Sequence, residues 1–303
     1  MTMSIIKPNA LTDAGLTSST ATEADHPAWA AATAYAAGDK VIRASTHRIY
    51  QRLIAGTTAT APEADTTNWL DIAPTNRWAM FDDVVGTITT VTGNLTAVLR
   101  PGLISGLALL ELAGQQATVT MKDAPGGTTV YSKTVNLDGT PISSFYEWFY
   151  TDYVQMSDVI LTDLPAHFAS SELTVSITTA LGTSEASCGV CKFGPVLRIG
   201  NTQAGATAGI IDYSKKSVDA FGNYLITKRA FSKRNDLKLT TAPHDFNRIF
   251  RTLAGIRSTP CIYVATEAPG HEPLLVYGFY RDFSIDVAYQ SMHLCNLSIE
   301  GLI

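Results

Sequence analysis

Ala117-Thr-Val-Thr-Met-Lys122 and Thr129-Val-Tyr-Ser-Lys-Thr-Val135, joined through Gly126-Gly127, decide the fold class. Apolar and polar side chains alternate in both runs, the period of a strand with one buried face. The glycine pair between them reads as a hairpin turn. Further strand candidates surround this hairpin at 104–112, 145–150, 158–162 and 173–179. Strands spaced this way predict a β-sandwich over 76–180.

Beyond it, Pro243-His244-Asp245 precedes Phe246, Ile249, Phe250, Leu253 and Ile256, one apolar stripe at helical spacing, with Arg248, Arg251 and Arg257 largely off it. The spacing predicts a single amphipathic helix over 244–257. Strand candidates at 224–231, 236–240, 261–265, 274–279 and 293–300 flank it, so 181–303 reads as a β-rich assembly domain. Ahead of the sandwich, Trp29, Tyr35, Val41, Ile42, Ile49, Tyr50 and Trp69 are spaced among turn signals at Gly38-Asp39, Gly56 and Pro62. That texture predicts a small module at 26–73, with two or three strands and a mostly aromatic core. Residues 1–25, with the polar run 17–22, read as an N-terminal arm or linker. The expected fold class is mainly β: a small aromatic β module, a β-sandwich and a β-rich C-terminal domain with one helix.

The chain has 303 residues, 22 Lys+Arg against 27 Asp+Glu, a net charge of −5 and only 16% charged residues. A hydrophobic fraction of 46% excludes a disordered chain. Without a net positive field or a basic run, a nucleic-acid binder held by phosphate contacts is disfavoured. No segment approaches ~20 apolar residues, so no membrane insertion is expected. Residues 1–15 carry one Lys and no apolar run suited to a signal peptide, which predicts synthesis in the cytosol. Four cysteines, Cys188, Cys191, Cys261 and Cys295, are too few for a disulfide framework and read as reduced, buried thiols.

Motifs for covalent chemistry are weak. Cys188-Gly-Val-Cys191 lacks a second ligand pair for zinc, and on one strand its thiols would point to opposite faces. His293 and Cys295 would share a strand face, but nothing else joins them as ligands. There is no G-x-S-x-G and no H-E-x-x-H, and 200–209, glycine-rich without a terminal Gly-Lys-Ser/Thr, reads as a flexible loop. Carboxylate pairs such as Asp82-Asp83, or Glu147 with Asp152, say nothing about the separation glycosidase chemistry needs. No catalytic residue, metal site or cofactor is expected.

Two resemblances add to this. Trp29, Tyr35, Gly38-Asp-Lys-Val41, Tyr50, Pro62 and Trp69 resemble the small chitin-binding type of carbohydrate-binding module, families 5 and 12. The likeness covers about 45 residues and departs at Ser45-Thr-His-Arg48, where the family usually has a Gly-containing turn. It implies sugar binding by Trp29, Tyr35, Tyr50 and Trp69, since an apolar pyranose face stacks on an exposed ring. The competing reading is that the same aromatics are simply the core of a miniature domain.

The second resemblance covers roughly 76–303. Asn76-Arg-Trp-Ala-Met-Phe-Asp-Asp83, Ile211-Asp-Tyr-Ser-Lys-Lys216, Asp219-Ala-Phe-Gly-Asn223, Arg229-Ala-Phe-Ser-Lys-Arg234, Val276-Tyr-Gly-Phe-Tyr-Arg-Asp-Phe283 and Cys295-Asn-Leu-Ser-Ile-Glu-Gly-Leu302 are similar to segments of tail-tip and baseplate proteins of long-tailed bacteriophages. It implies a virion structural protein at the distal end of a tail, a homo-oligomeric ring of three- or six-fold symmetry. The implied partners are tail-tube, hub or baseplate proteins and bacterial surface glycans. Lys215, Lys216, Lys228, Arg229, Lys233 and Arg234 then read as a solvated or intersubunit face; interleaved Asp212, Asp219 and Asp236 weigh against nucleic acid. The rival expectations are a dedicated receptor-binding lectin and a cell-wall or chitin hydrolase with an appended binding module.

Overall fold

In the computed structural model, which describes residues 2–140, 142–152, 154–180, 184–218, 221–267, 271–287 and 289–302, Gln116–Lys122 pairs antiparallel with Thr129–Asn136. Gly126 takes φ +70° in the turn between them, a backbone conformation that a side chain would strain. The chain is mainly β, 47% strand and 10% helical. The hairpin forms one edge of a five-stranded sheet in the order Thr129–Asn136, Gln116–Lys122, Glu172–Thr178, Leu95–Leu99, Leu16–Ser19. Its alternate residues, among them Leu95, Leu99, Val119, Met121, Val175 and Ile177, share one core with Leu107, Leu109, Leu161 and Phe193 of a three-stranded sheet, Val159–Leu161, Gly106–Leu110, Val190–Gly194. The two sheets form a sandwich.

A second body is a closed barrel. Val196–Thr202, Thr2–Ile6, Cys261–Val264, Leu275–Asp286, His293–Gly301 and Phe231–Thr241 pair in that order, and Asn201 and Thr202 meet Thr240 and Leu239 to close it. Met3, Ile5, Tyr263, Leu237, Leu297 and Ile299 fill its interior. Helix α2 (Phe246–Gly255) adds Ile249 and Leu253 to the same core, and Ile256 follows at its C-cap. Of the other two members of the expected stripe, Phe250 is exposed and stacks on the half-buried Phe246.

The barrel and the sandwich share a third apolar layer. Ile6, Ile262, Val264 and Tyr277 on the barrel exterior pack against Ala108, Leu110 and Val190 on the outer face of the three-stranded sheet. Gly106–Leu110, Val190–Gly194 and Cys261–Val264 are therefore buried at every position, both faces covered, and apart from the buried Lys192 they carry no charged side chain. Lys7 follows the first strand so closely past Gly194 that a Cβ there would lie 1.8 Å from the Lys7 carbonyl oxygen.

The arm-or-linker reading of residues 1–25 is thus corrected. Thr2–Ile6 sits between Val196–Thr202 and Cys261–Val264 in the barrel wall with Met3 through Ile6 buried, and Leu16–Ser19 is the edge strand of the sandwich. Three apolar side chains buried from five residues are worth about 1.5–3 kcal/mol each, which offsets the ordering cost of so short a strand. The boundary at 180 also moves: Glu185–Cys188 and Val190–Gly194 belong to the sandwich, and the barrel resumes at Val196. The segment 200–209 is strand, turn and strand rather than a loop throughout, with Val196–Thr202 and Thr207–Asp212 on either side.

Between Leu16–Ser19 and the rest of the sandwich, the chain makes the small module. Lys40–Arg43, Arg48–Arg52 and Trp69–Pro74 form its three-stranded sheet, and Ala34–Tyr35 pairs with Gly56–Thr57 beside it.

Candidate functional site

The four sugar-site candidates come together in the module, but as one cluster rather than as an open platform. Val41, Tyr50 and Trp69 are its buried centre, with Trp29 and Tyr35 packed half-buried against them. Trp69 is 2% exposed, with Tyr35 edge-on at 5.2 Å and the Arg52 guanidinium 5.1 Å from its ring centroid. A sugar face has no access to a ring enclosed this way, so Tyr50 and Trp69 act as core. Tyr35 has its hydroxyl occupied, accepting from the Ala30 N–H at 2.9 Å. Trp29 keeps part of its surface, with the Arg43 guanidinium 4.8 Å from its centroid. Arg43 grips Glu63 through two hydrogen bonds, 2.7 and 3.1 Å, and this holds the Glu63 carboxyl below its ordinary range. Trp29 flanked by Arg43 and Glu63 is the one place in the module where a ring and a polar rim coincide.

The departing turn at Ser45–Arg48 has a physical explanation. His47 adopts φ +55°, the conformation a glycine would supply, and its ring stacks on Trp78 at 4.1 Å. Its nitrogens face Asp13 at 3.1 Å and Glu23 at 2.9 Å. The turn fastens the module to the sandwich.

The segment 76–83 is a junction. Asn76 exchanges hydrogen bonds with the Thr90 backbone, and its own N–H donates to Asp25 at 2.9 Å. Lys192, buried, pairs with Asp83 at 2.7 Å and donates to the Phe81 carbonyl at 2.8 Å, while the Tyr277 hydroxyl reaches Asp83 from the barrel. Burial raises the Asp82 carboxyl, and Thr87 donates to it at 2.8 Å. These two carboxylates tie chain segments together. Glu147, the other carboxylate weighed above, closes a helix cap.

Cys188 and Cys191 both enter the sandwich core, because Gly189 interrupts the strand between them; the opposite-face expectation is corrected. All four thiols are buried and free. Burial pushes Cys191 up to about 12 and Cys261 to about 11. His293 and Cys295 are both buried on one face of their strand, Cys295 in contact with Thr241 at 3.8 Å and His293 edge-on to Phe246. Among the described residues no three metal-binding side chains converge, and no helix is long and apolar enough to cross a membrane.

A cleft of about 300 Å³ opens between barrel and sandwich, walled by Val85, Leu110, Val190, Phe231, Tyr277 and Leu302. Its polar groups are Glu111, Asp158 and Lys233. Glu111 sits at φ +54°, a strained position for a non-glycine, and burial raises its carboxyl, with nearby Asp158 adding to the effect.

The largest uncovered apolar surfaces lie elsewhere. Residues 145–150, read above as a strand, form helix α1 (Phe145–Tyr150), which buries no residue. Phe145 is 82% exposed, and Tyr146, Trp148, Phe149 and Tyr150 are exposed as well. The strand reading followed the β-propensity of aromatics; the overlooked signal was Ser144-Phe-Tyr-Glu147, a capping box. Ser144 Oγ accepts from the Glu147 N–H at 3.2 Å, and Glu147 accepts from the Ser144 N–H at 3.0 Å.

The second surface is an arm. Thr207–Asp212 pairs with the first half of Phe231–Thr241, and beyond it Lys215–Val218 pairs with Tyr224–Thr227. Every residue from 221 to 230 is exposed, as are Ile210 and Val218. The arm carries Lys215, Lys216, Lys228 and Arg229, with Lys216 Nζ 3.9 Å from the Tyr224 ring centroid. Asp219 and Ala220, of the phrase 219–223, lie outside the described residues.

Comparison with known protein families and with curated proteins returns no match.

Proposed function

We propose that this chain is a structural component of a bacteriophage tail tip or baseplate, a homo-oligomer that joins tail tube or hub to the host-facing parts. The proposal rests on the sequence phrases over 76–303, and the observation that carries its assembly aspect is α1. Five aromatic side chains on six residues, each 62–82% exposed, leave on the order of 600 Å² uncovered. The largest apolar patch on a monomer is usually roughly 300–600 Å² over its whole surface. A chain that adds an apolar arm to such a helix fits a protein whose exterior is covered by neighbours. In this reading the chain performs no covalent chemistry and requires no cofactor.

The module offers weak sugar contact to the bacterial surface. Trp29 is the stacking ring, Arg43 and Glu63 the polar rim, and Tyr35, Tyr50 and Trp69 the support beneath. Several copies on one particle would multiply a weak contact by avidity. A dedicated lectin would place its main ring surface in a sugar-sized recess; here the exposed rings stand on a convex helix.

Two measurements test the reading. Electron micrographs of tailed particles labelled with antibody against the chain should show label at the distal tail end; label on the head, or on no virion, overturns it. On a glycan array, the assembled protein should bind and Trp29→Ala should lose binding with the fold intact. Retained binding in Trp29→Ala moves the sugar site out of the module.

A further inference from the structure

The arm and the α1 projection are opposite in charge. Between residues 207 and 234 the sequence has six Lys/Arg and two Asp. Between 134 and 191 it has seven Asp/Glu and no Lys or Arg. α1 stands inside that second segment, with Asp138 and Asp152 exposed on either side of it and Glu147 half-buried in its cap. Each surface therefore combines uncovered apolar side chains with a net charge, positive on the arm and negative around α1, and the signs complement each other.

Neither surface is self-sufficient. A two-stranded ribbon exposed on both faces is marginal in water, and its two edges offer unpaired N–H and C=O groups. A six-residue helix is far below the length at which helices hold alone. Within one copy the two segments meet, among the described residues, at their roots, where Lys233 pairs with Asp158 at 3.8 Å. Beyond the roots both are exposed, so neither covers the other.

We infer that the arm of one copy seats on the α1 projection of a second copy of this chain. This rests on the assembly reading above and specifies which surfaces make the contact. Ile226 and Tyr224 supply apolar cover for Trp148 and Phe149, while Lys215, Lys216, Lys228 and Arg229 face the carboxylates of the α1 segment. From root to tip the arm is about 40 Å long, enough to cross onto a neighbour. Two different surfaces in contact make a heterologous interface, which closes into a ring when the rotation allows. The complementary charge fixes partner and register, and the aromatics supply the buried area.

The test is a charge swap in the full chain, read by mass photometry and light scattering. One variant reverses the arm (K215E/K216E/K228E/R229E), a second reverses the projection (D138K/D152K); circular dichroism and Tm show that each remains folded. Wild type should be oligomeric, weakening as salt rises from about 0.1 to about 1 M. Each variant alone should dissociate, its apparent Kd at least about tenfold weaker. Mixed in equal amounts, the two should assemble again, because arm and projection then alternate in sign between neighbours. If wild type is oligomeric and both variants assemble unchanged, this interface is wrong and the assembly reading stands. If wild type is monomeric at every concentration, both fall. If it is monomeric and sediments with phosphatidylcholine/phosphatidylglycerol vesicles, α1 serves a membrane and the inference is overturned.

Discussion

α2 and α1 are both rich in apolar side chains, yet they end in opposite environments. α2 concentrates Ile249 and Leu253 on one face, with Ile256 following, and spends them on the barrel core. α1 carries aromatics around its whole circumference and buries none. A one-sided stripe can be satisfied by the chain's own sheet, whereas an all-round apolar helix can be satisfied only by surroundings on every side. The same contrast separates the two hairpins. Gln116–Lys122 with Thr129–Asn136 covers a core with Val119 and Met121, whereas every residue of the arm from 221 to 230 is exposed.

Removing an apolar group should therefore matter in α2 and not in α1. Leu253→Ala should lower unfolding free energy in denaturant titration by about 2–5 kcal/mol. A loss under about 1 kcal/mol would mean that α2 is not part of the barrel core. Phe149→Ala, measured on dissociated protein, should stay within about 0.5 kcal/mol of wild type.

Limited chymotrypsin digestion compares the regions directly. Cuts should come first in α1 and in the arm near Tyr224, at rates at least about tenfold above any cut in α2, since exposed short elements open locally at little cost. Early cleavage at Phe246 would reverse the comparison.

The cleft gives a pH-dependent version. The folded Glu111 carboxyl is raised above its ordinary value, so the folded state holds this proton more tightly than the unfolded chain. The associated stability is complete below the ordinary carboxyl range and is lost as pH rises through the folded value. Glu111→Gln, neutral throughout, should therefore raise Tm by about 1–3 °C at pH 7 and converge with wild type near pH 4. Equal shifts at both pH values would remove burial of the charge as the cause. The smallest effect belongs to the cap: Ser144→Ala should loosen α1 by about 1 kcal/mol, visible as faster amide exchange at 147–150, while global Tm moves by less than about 1 °C.

Much of this was legible in the residues. The alternation at 117–122 and 173–179 appears as one-sided strands, and Ile249 and Leu253 of the expected stripe appear as the buried face of α2 while Phe250 stays exposed. The failures share a cause, which is that local pattern does not contain the partner. Met3-Ser-Ile-Ile6 is too short to show a period, and only the strands at 196–202 and 261–264 make it a barrel wall. Phe145–Tyr150 has strand composition, and a cap of two hydrogen bonds makes it a helix. In the candidate sugar site, aromatic spacing gathered Trp29, Tyr35, Tyr50 and Trp69 correctly into one cluster, but spacing alone could not separate the enclosed rings from the partly open one.

The strand Thr2–Ile6 also sets a timetable. It is synthesised well before its neighbours in the barrel wall, Val196–Thr202 and Cys261–Val264, which are made some 190 to 260 residues later. At 5–20 residues per second that is a wait of roughly 10–50 s during which Met3, Ile5 and Ile6 have no native partner. Closure of the barrel waits on those two later strands, so anything that clings to Thr2–Ile6 during translation delays the whole barrel.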